Sequence, residues 1–306
     1  MLHKPVLIKE TLDCLAIPRD AVAVDGTLGD GGHAEEMLKR LGPGGRLIAI
    51  DQDPQAILRC RERFKDYRNI SFHHENFRNM PAVLDSLNIV AVDAVLLDIG
   101  FSSDQLEDAS RGFSFARNGP LDMRMNPDLT LQAFDIVNGY RQQELEKVFY
   151  EFGEQRWSRR FARQIVEERH KKPILTTTEL AEVLERSVPG RFSHPKSKRP
   201  SWSRHHPATR AFQALRIAVN DELGALEEGL DRMWPFLRSG GRLATITFHS
   251  LEDRIVKNRF RNWARSGEAI LVHKKPVTPG RDETVDNPRA RSAKLRVVER
   301  TDERIS

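Results

Sequence analysis

The chain has 306 residues, 39% of them hydrophobic, which is enough for one large α/β core and a second, smaller unit. Lys and Arg (49) outnumber Asp and Glu (44), and the net charge of +5 favours a polyanionic partner. The two cysteines, Cys14 and Cys60, lie far apart, and no Cys/His spacing suits a metal or a disulfide framework. No apolar run approaches ~18 residues. We therefore expect a cytoplasmic protein with no membrane partner; no residues are assigned to a metal, and metal dependence is left open.

Short apolar runs alternate with amphipathic segments from residue 22 onward, which predicts parallel strands joined by helices in a doubly wound α/β sheet. Asp53 and Pro54 predict the start of a helix after the second strand, as N-cap and first-turn residue. A helix is also expected over 34–41. The four predicted strands are 21–25, 46–51, 69–74 and 92–98.

The alternation stops after about residue 105, where a loop rich in Arg, Gly, Asp and Pro precedes several helices. An inserted all-helical substrate-recognition domain over 113–207 is the simplest interpretation, between core segments 1–112 and 208–306. Its predicted helices are 142–152, 158–170 and 178–187, the last after a capping-box pattern. The predicted elements that follow are helix 208–230, strand 242–248, helix 251–263 and an antiparallel pair, 269–273 with 293–299.

A glycine-rich turn over 25–33 lies between the first strand and the next helix, where glycines let a nucleotide approach the backbone. Asp51 ends the second strand, a position from which a carboxylate accepts both hydroxyls of an adenosine ribose. The alternative is a turn that needs glycine only for its shape. The antiparallel pair at the end of the sheet favours S-adenosylmethionine over a nicotinamide cofactor.

Nine strings in one order resemble the ribosomal RNA small-subunit methyltransferase H family, also called MraW, over nearly the whole chain. They are HKPVL at 3–7, DGTLGDGGH at 25–33, LLDIGFSSDQ at 96–105, RGFSF at 111–115, GPLDMRM at 119–125, HPATR at 206–210, FQALR at 212–216, FHSLEDR at 248–254 and NPRARS at 287–292. The resemblance implies a Rossmann-like class I methyltransferase that uses S-adenosylmethionine to N4-methylate a cytidine in the decoding region of small-subunit ribosomal RNA.

The resemblance also implies which residues contact the cofactor. These are Gly31, Gly32, His33, Asp51, Phe77, Asp98 and Gln105. Asp104 stands where the family usually has proline, which leaves the presentation of Gln105 open.

Two residues are candidates for catalysis. Asp98, at the end of the fourth strand, either accepts a proton from the target amine or serves only the ammonium group of the cofactor. His249, after the fifth strand, either approaches the base or belongs to a segment that caps the next helix through Ser250. Phe101 and Phe113 either stack a flipped base or are core aromatics.

The segment 191–210 contains six Lys or Arg, three His and no acid, which suits either an RNA-tracking loop or an ordinary solvated face. The expected partner is small-subunit ribosomal RNA, within an assembled or nearly assembled subunit. The candidate RNA contacts are Arg111, Arg124, Arg156, Arg160, Lys196, Lys198, Arg199, Arg210 and Arg216.

The runner-up functions are a methyltransferase of the same fold with another RNA or protein acceptor, and a ribosome-assembly factor that binds RNA without transferring a methyl group. A nicotinamide dehydrogenase is third. The sequence predicts no oligomeric state.

Overall fold

The computed structural model describes residues 5–188 and 206–301. The chain divides into two compact units, which are described separately: 1–102 with 223–306, and 103–222. Both boundaries drawn from the sequence, after 112 and after 207, lie inside the second unit, so the assignment of functional domains stays a prediction. Among the described residues, no helix is long and apolar enough to cross a bilayer.

The first unit is built on a seven-stranded sheet with the order β3-β2-β1-β4-β5-β7-β6. The first five strands are parallel, and β7 runs antiparallel to both of its neighbours. The strands are β1 Val22–Asp25, β2 Arg46–Asp51, β3 Ile70–His74, β4 Val92–Asp98, β5 Leu237–Thr247, β6 Ala269–Leu271 and β7 Lys294–Arg300. The antiparallel pair that favoured the methyltransferase arrangement is thus present.

Helices cover both faces of this sheet. One core cluster packs α1 to α3 against residues such as Ala23, and the other packs α4, α11 and α12 against residues such as Val24. Because successive side chains of a strand point to opposite faces, the short runs of β1 and β4 serve both clusters. The helices of this unit are α1 Ile8–Leu15, α2 Gly32–Arg40, α3 Pro54–Arg63, α4 Met80–Ser86, α11 Glu222–Met233 from its second residue onward, α12 Ser250–Arg265 and α13 Arg281–Asp286. The predicted doubly wound α/β class is confirmed.

The second unit is helical, and among its described residues the only β pairing is one isolated bridge, Pro120 with Thr176. Its helices are α5 Ser103–Glu107, α6 Ala133–Gly139, α7 Gln142–Glu151, α8 Ser158–Arg169, α9 Thr177–Arg186 and α10 Ala208–Asn220. Thr176 and Glu179 form the predicted capping box at the start of α9. The predicted inserted all-helical part is present.

The prediction of one long helix over 208–230 is wrong. The chain turns at Asp221, which has left-handed backbone angles (φ 47°, ψ 44°), and α11 begins only after it. Asp is one of the few residues that adopt this conformation at modest cost. Next to the break, Asn220 accepts a hydrogen bond from Met125 N at 2.7 Å and donates one to Met123 O at 2.7 Å. Long-range hydrogen bonds therefore favour the end of α10, which apolar periodicity does not reveal.

Candidate active site

The glycine turn connects the carboxyl ends of three neighbouring parallel strands. Asp25 Oδ1, at the end of β1, accepts from Thr27 N at 3.1 Å, and Asp51 Oδ2, at the end of β2, accepts from Gly29 N at 2.7 Å. On the other side, Asp98 N of β4 donates to the hydroxyl of Thr27 at 2.6 Å. Ligands of doubly wound sheets bind outside this edge, where the strand order reverses. The turn is therefore held in place at the expected ligand position.

Two of the predicted cofactor glycines are required by packing. Gly31 has φ +77°, and a Cβ there would lie 2.6 Å from Phe64 Cε2. At Gly32, where α2 begins, a Cβ would lie 2.2 Å from Pro5 Cγ. Neither position accommodates a larger side chain without displacing a neighbour. Glycine is therefore needed here for backbone shape and close approach, whether or not a ligand contacts these residues.

Asp51 lies where an adenosine ribose was expected. Its Oδ1 accepts from Asp53 N at 2.8 Å and its Oδ2 from Gly29 N. Burial raises the pKa of Asp51 to about 6, against the opposing effect of these two backbone hydrogen bonds. A carboxylate has roughly four acceptor positions, so acceptor capacity remains for two hydroxyls. Asp51 thus both orders the turn and can accept hydrogen bonds from a ribose.

Among the three aspartates at this edge of the sheet, Asp98 has the largest shift in pKa. Burial, with the like charges of Asp25 and Glu252, raises the pKa of Asp98 to about 8. Its Oδ1 is buried and has no hydrogen-bond partner among the described residues. Its Oδ2 lies 3.5 Å from His33 Nδ1, and the other ring nitrogen of His33 lies 3.1 Å from Val6 O. When Nε2 of a neutral His33 donates to Val6 O, Nδ1 keeps a lone pair that faces Asp98, which favours the protonated form of Asp98.

The sequence prediction missed Asp25 as a site residue. Asp25 is 1% exposed, its Oδ2 has no hydrogen-bond partner among the described residues, and burial raises its pKa to about 7. The signal was available, because three strands that lie side by side, β1, β2 and β4, each end in aspartate. Buried acids with unsatisfied oxygens suit a cationic ligand. S-adenosylmethionine carries a sulfonium and an ammonium group, so the residues present fit this cofactor.

His249 is the N-cap of α12, and its own ring forms the cap. Its Nδ1 accepts from Glu252 N at 3.4 Å, whereas Glu252 Oε2 accepts from Phe248 N at 2.8 Å and His249 N at 3.2 Å. The expected cap through Ser250 is therefore formed by His249 instead. His249 Nε2 and Glu252 Oε1 lie 2.9 Å apart without the alignment of a hydrogen bond, and both atoms are buried. Glu252, 1% exposed, was missed as a site residue, although its spacing from His249 fits a capping box.

The remaining predicted cofactor contacts are both buried. Phe77, 9% exposed, follows β3 in a 3-10 turn, and its ring leaves no room for a Cβ at Gly229 of α11. Gln105, 6% exposed, lies in α5 of the second unit. Of the two candidate base-stacking aromatics, Phe113 is buried and Phe101 is half-buried. Their contacts with cofactor or base stay predictions.

Several arginines predicted to contact RNA are engaged within the second unit. Arg124 forms a bidentate ion pair with Asp122, in which both N–O distances are 2.8 Å. Its guanidinium also donates to Pro127 O and Leu129 O. Arg111 donates to the carbonyls of Arg124 and Met125. Both guanidinium groups therefore shape the loop that follows α5.

Arg216 is 8% exposed and pairs with Glu222 across the helix break, through N–O distances of 2.7 and 2.8 Å. Arg210 is exposed on α10 and donates to Glu154 O at 3.0 Å. Arg216 thus offers little surface to a large ligand, whereas Arg210 remains accessible.

Arg156 and Arg160 form an exposed aromatic–cation group with Trp157. Their guanidinium carbons lie 4.6 and 5.9 Å from the centroid of the indole ring. Such a surface offers both positive charge and a stacking face to RNA. Lys196, Lys198 and Arg199 lie outside the described residues.

Fold and site together define an α/β protein whose sheet ends in a buried acidic edge suited to a cationic nucleotide-type cofactor. The chain belongs to the MraW methylase family, whose family model matches residues 1–301. It is therefore a methyltransferase, as the nine strings predicted, and S-adenosylmethionine is the cofactor that the family and the carboxylates support.

Known relatives are similar over nearly their full length. Ribosomal RNA small subunit methyltransferase H of Halothermothrix orenii is 45% identical, covering 97% of this chain and 98% of the relative. The protein of the same name from Clostridium botulinum (strain Kyoto) is 44% identical, covering 96% and 97%. Among solved structures, an rRNA methylase from Streptococcus thermophilus has a TM-score of 0.45 and 12% identity, covering 98% of this chain and 99% of its own. That structural likeness is too weak to bear on activity.

Proposed function

We propose that this protein transfers a methyl group from S-adenosylmethionine to N4 of a cytidine in the decoding region of small-subunit ribosomal RNA, in the cytoplasm. The observation that carries the proposal is Asp98 Oδ1, a buried acceptor without a hydrogen-bond partner among the described residues, at the carboxyl end of β4. The names of the 44–45% identical relatives support ribosomal RNA as the substrate class. The assembled or nearly assembled small subunit is the proposed form of that substrate.

Asp98 is suited to manage the proton of the amine. The cofactor supplies a methyl group on a positively charged sulfur. A cation near Asp98 favours the carboxylate form, which opposes the effects of burial and of Asp25. Asp98 Oδ1 then accepts a hydrogen bond from the target amine and draws its proton away as the new bond forms. A pKa near the working pH suits a group that accepts a proton and later releases it.

His249 and Glu252 complete the polar edge beside Asp98. In the β4–β5 register Asp98 pairs with Ile246, and His249 follows Ile246 by three residues, just beyond the end of β5. The His249–Glu252 cap fixes the ring, with Nε2 buried 2.9 Å from Glu252 Oε1 and without a hydrogen bond of its own. Positioning of this kind contributes by holding reactants in line.

The test is methyl transfer from labelled S-adenosylmethionine to small ribosomal subunits that lack their own methylation, followed by nucleoside analysis. We expect N4-methylcytidine at one position, formed at least about a hundredfold more slowly by Asp98→Asn. Asp85→Asn, an exposed acid on α4, is the matched control and should behave as wild type. Label on another base or on protein would support a different acceptor and overturn the cytidine assignment. Tight RNA binding with no label would support an assembly factor instead.

A further inference from the structure

A cavity of about 380 Å³ opens beside His249 within the first unit. Its polar lining consists of His249, Ser250, Thr278, Arg291, Ser292 and Lys294, and no acidic residue lines it. The volume falls within the range of sites that hold small ligands or parts of larger ones. Two cationic side chains and three hydroxyls, without a carboxylate, are the lining expected for an anion.

Arg291 supplies the positive charge that is available to a ligand. It is exposed at the end of the 3-10 helix Pro288–Ser292, and among the described residues no carboxylate pairs with its guanidinium. Lys294 differs, because its Nζ already donates to Asp253 Oδ2 at 2.9 Å. Lys294 therefore adds positive potential, whereas Arg291 has donors free for direct contacts with oxygen atoms.

The acids nearest to this cavity do not line it, and most of their oxygens have other partners. Glu252 Oε2 accepts from the backbone of Phe248 and His249, and Asp253 accepts from Lys294 and Arg296. The cavity also lies at the first turn of α12, a helix of 16 residues, where the helix dipole favours an anion. Glu252 Oε1 is buried 2.9 Å from His249 Nε2 and is not part of the lining, so an anion in the cavity faces cations and hydroxyls.

We propose that this cavity binds a backbone phosphate of the RNA, next to the nucleotide whose base reaches His249 and Asp98. The inference rests on the proposed function. It adds a site that fixes the RNA strand relative to the reacting base, with Arg291 as the principal contact and the hydroxyls of Ser292 and Thr278 as further donors. Phosphate contacts position a strand without reading its sequence. Arg291 is thus a positioning residue, and its loss should affect RNA binding more than chemistry.

The experiment compares Arg291→Gln with wild type in methylation of small subunits at several KCl concentrations. We expect KM for the subunits to rise about tenfold, as for loss of one charged hydrogen bond. The slope of log KM against log salt should fall by about one, whereas kcat and the Kd for S-adenosylmethionine stay within about twofold. Arg291→Lys, which keeps the charge, should restore most of the slope but only part of the affinity, because it loses the forked geometry.

Arg265→Gln is the matched control. Arg265 is exposed in the last turn of α12, about 23 Å from the first turn of that helix at 1.5 Å per residue. Arg265→Gln therefore changes the net charge as much as Arg291→Gln does, but far from the cavity. Equal effects of the two variants, or an unchanged salt slope with Arg291→Gln, would overturn the proposal. If wild type methylates no subunits, the proposed function fails. The Kd of the same variants for decoding-region RNA, measured by fluorescence anisotropy, then decides on the cavity separately.

Discussion

In the second unit, the buried guanidinium of Arg216 meets both oxygens of Glu222, whereas in the first unit the buried carboxylates of Asp25 and Asp98 each keep an oxygen without a hydrogen-bond partner among the described residues. Leaving a buried polar atom unsatisfied costs free energy that folding must offset. The Arg216–Glu222 pair is therefore complete within the protein, whereas Asp25 and Asp98 keep acceptor capacity for a ligand. The difference separates residues needed for folding from residues needed for binding.

The largest expected effect is the loss of catalysis when Asp98 is replaced. Asp98→Asn keeps the size of the side chain but removes the proton acceptor, so kcat should fall by about 10²- to 10⁴-fold. Single-turnover methyl transfer at saturating cofactor measures the step directly. The thermal midpoint at pH 8 should not fall, because the variant removes a buried charge. Activity within tenfold of wild type would assign Asp98 to cofactor binding alone.

Breaking the Arg216–Glu222 ion pair should lower the stability of the protein. Arg216→Ala leaves the carboxylate of Glu222 buried without its main partner, which we expect to cost about 3–5 kcal/mol of unfolding free energy. Urea denaturation measures the loss. The double variant Arg216→Met with Glu222→Leu should recover much of it, because the unpaired charge is then removed as well. A single variant as stable as wild type would show that Arg216 does not hold the helix break.

The unpaired acids also predict how stability depends on pH. The folded-state pKa values of Asp98 (about 8), Asp25 (about 7) and Asp51 (about 6) all exceed the ordinary value of 3.8. Between about pH 4 and 8 the folded state therefore binds more protons than the unfolded state, so stability falls as pH rises. The slope is about 1.4 kcal/mol per pH unit for each proton.

Urea denaturation of the cofactor-free protein at pH 5, 6.5 and 8 checks this expectation. Asp98→Asn should flatten the curve between pH 7 and 8. Binding of the cationic cofactor should tighten over the same range, because it favours the charged carboxylate. Stability that rises from pH 5 to 8 would contradict the raised pKa values of Asp98, Asp25 and Asp51.

The smallest expected effect belongs to the exposed arginines of α8 and its preceding turn. The double variant Arg156→Gln with Arg160→Gln should weaken RNA binding severalfold and lower the salt slope by about two, because each contact releases about one counterion. Stability should change by less than about 0.5 kcal/mol. Arg163→Gln, which removes one exposed arginine that faces Glu167, is the control for loss of a single positive charge on the same helix and should leave the slope unchanged. An unchanged salt slope with the double variant would leave this surface without a role in RNA binding.

Local signals in the sequence predicted most of the first unit. The bounds of β2 and β4 agree with the prediction, and Asp53 caps α3 by accepting from Gln55 N at 3.0 Å. These elements depend on short apolar runs and on a cap that acts within three residues. The break at Asp221 was missed because its hydrogen bonds come from residues almost a hundred positions away.

The site was predicted less completely than the fold. Asp51 and Asp98 were identified, because a carboxylate at the end of a strand is visible in the sequence. Asp25 follows the same rule and was overlooked within the glycine turn. The burial of Arg216, and its pairing with Glu222, could not be read from sequence, since a family string gives no information on which side of a helix faces the core.

Pro5 and Val6 connect the start of the described chain to the chemistry of the site. Pro5 fills the space left by Gly32, Val6 O contacts the ring of His33, and Leu7 N donates to Glu283 at 2.7 Å. The other ring nitrogen of His33, Nδ1, lies 3.5 Å from Asp98 Oδ2. A purification tag or a linker fused close to Pro5 would thus disturb, from outside the site, the contacts that hold His33 beside Asp98. Titrations of tagged and untagged protein should not be treated as equivalent.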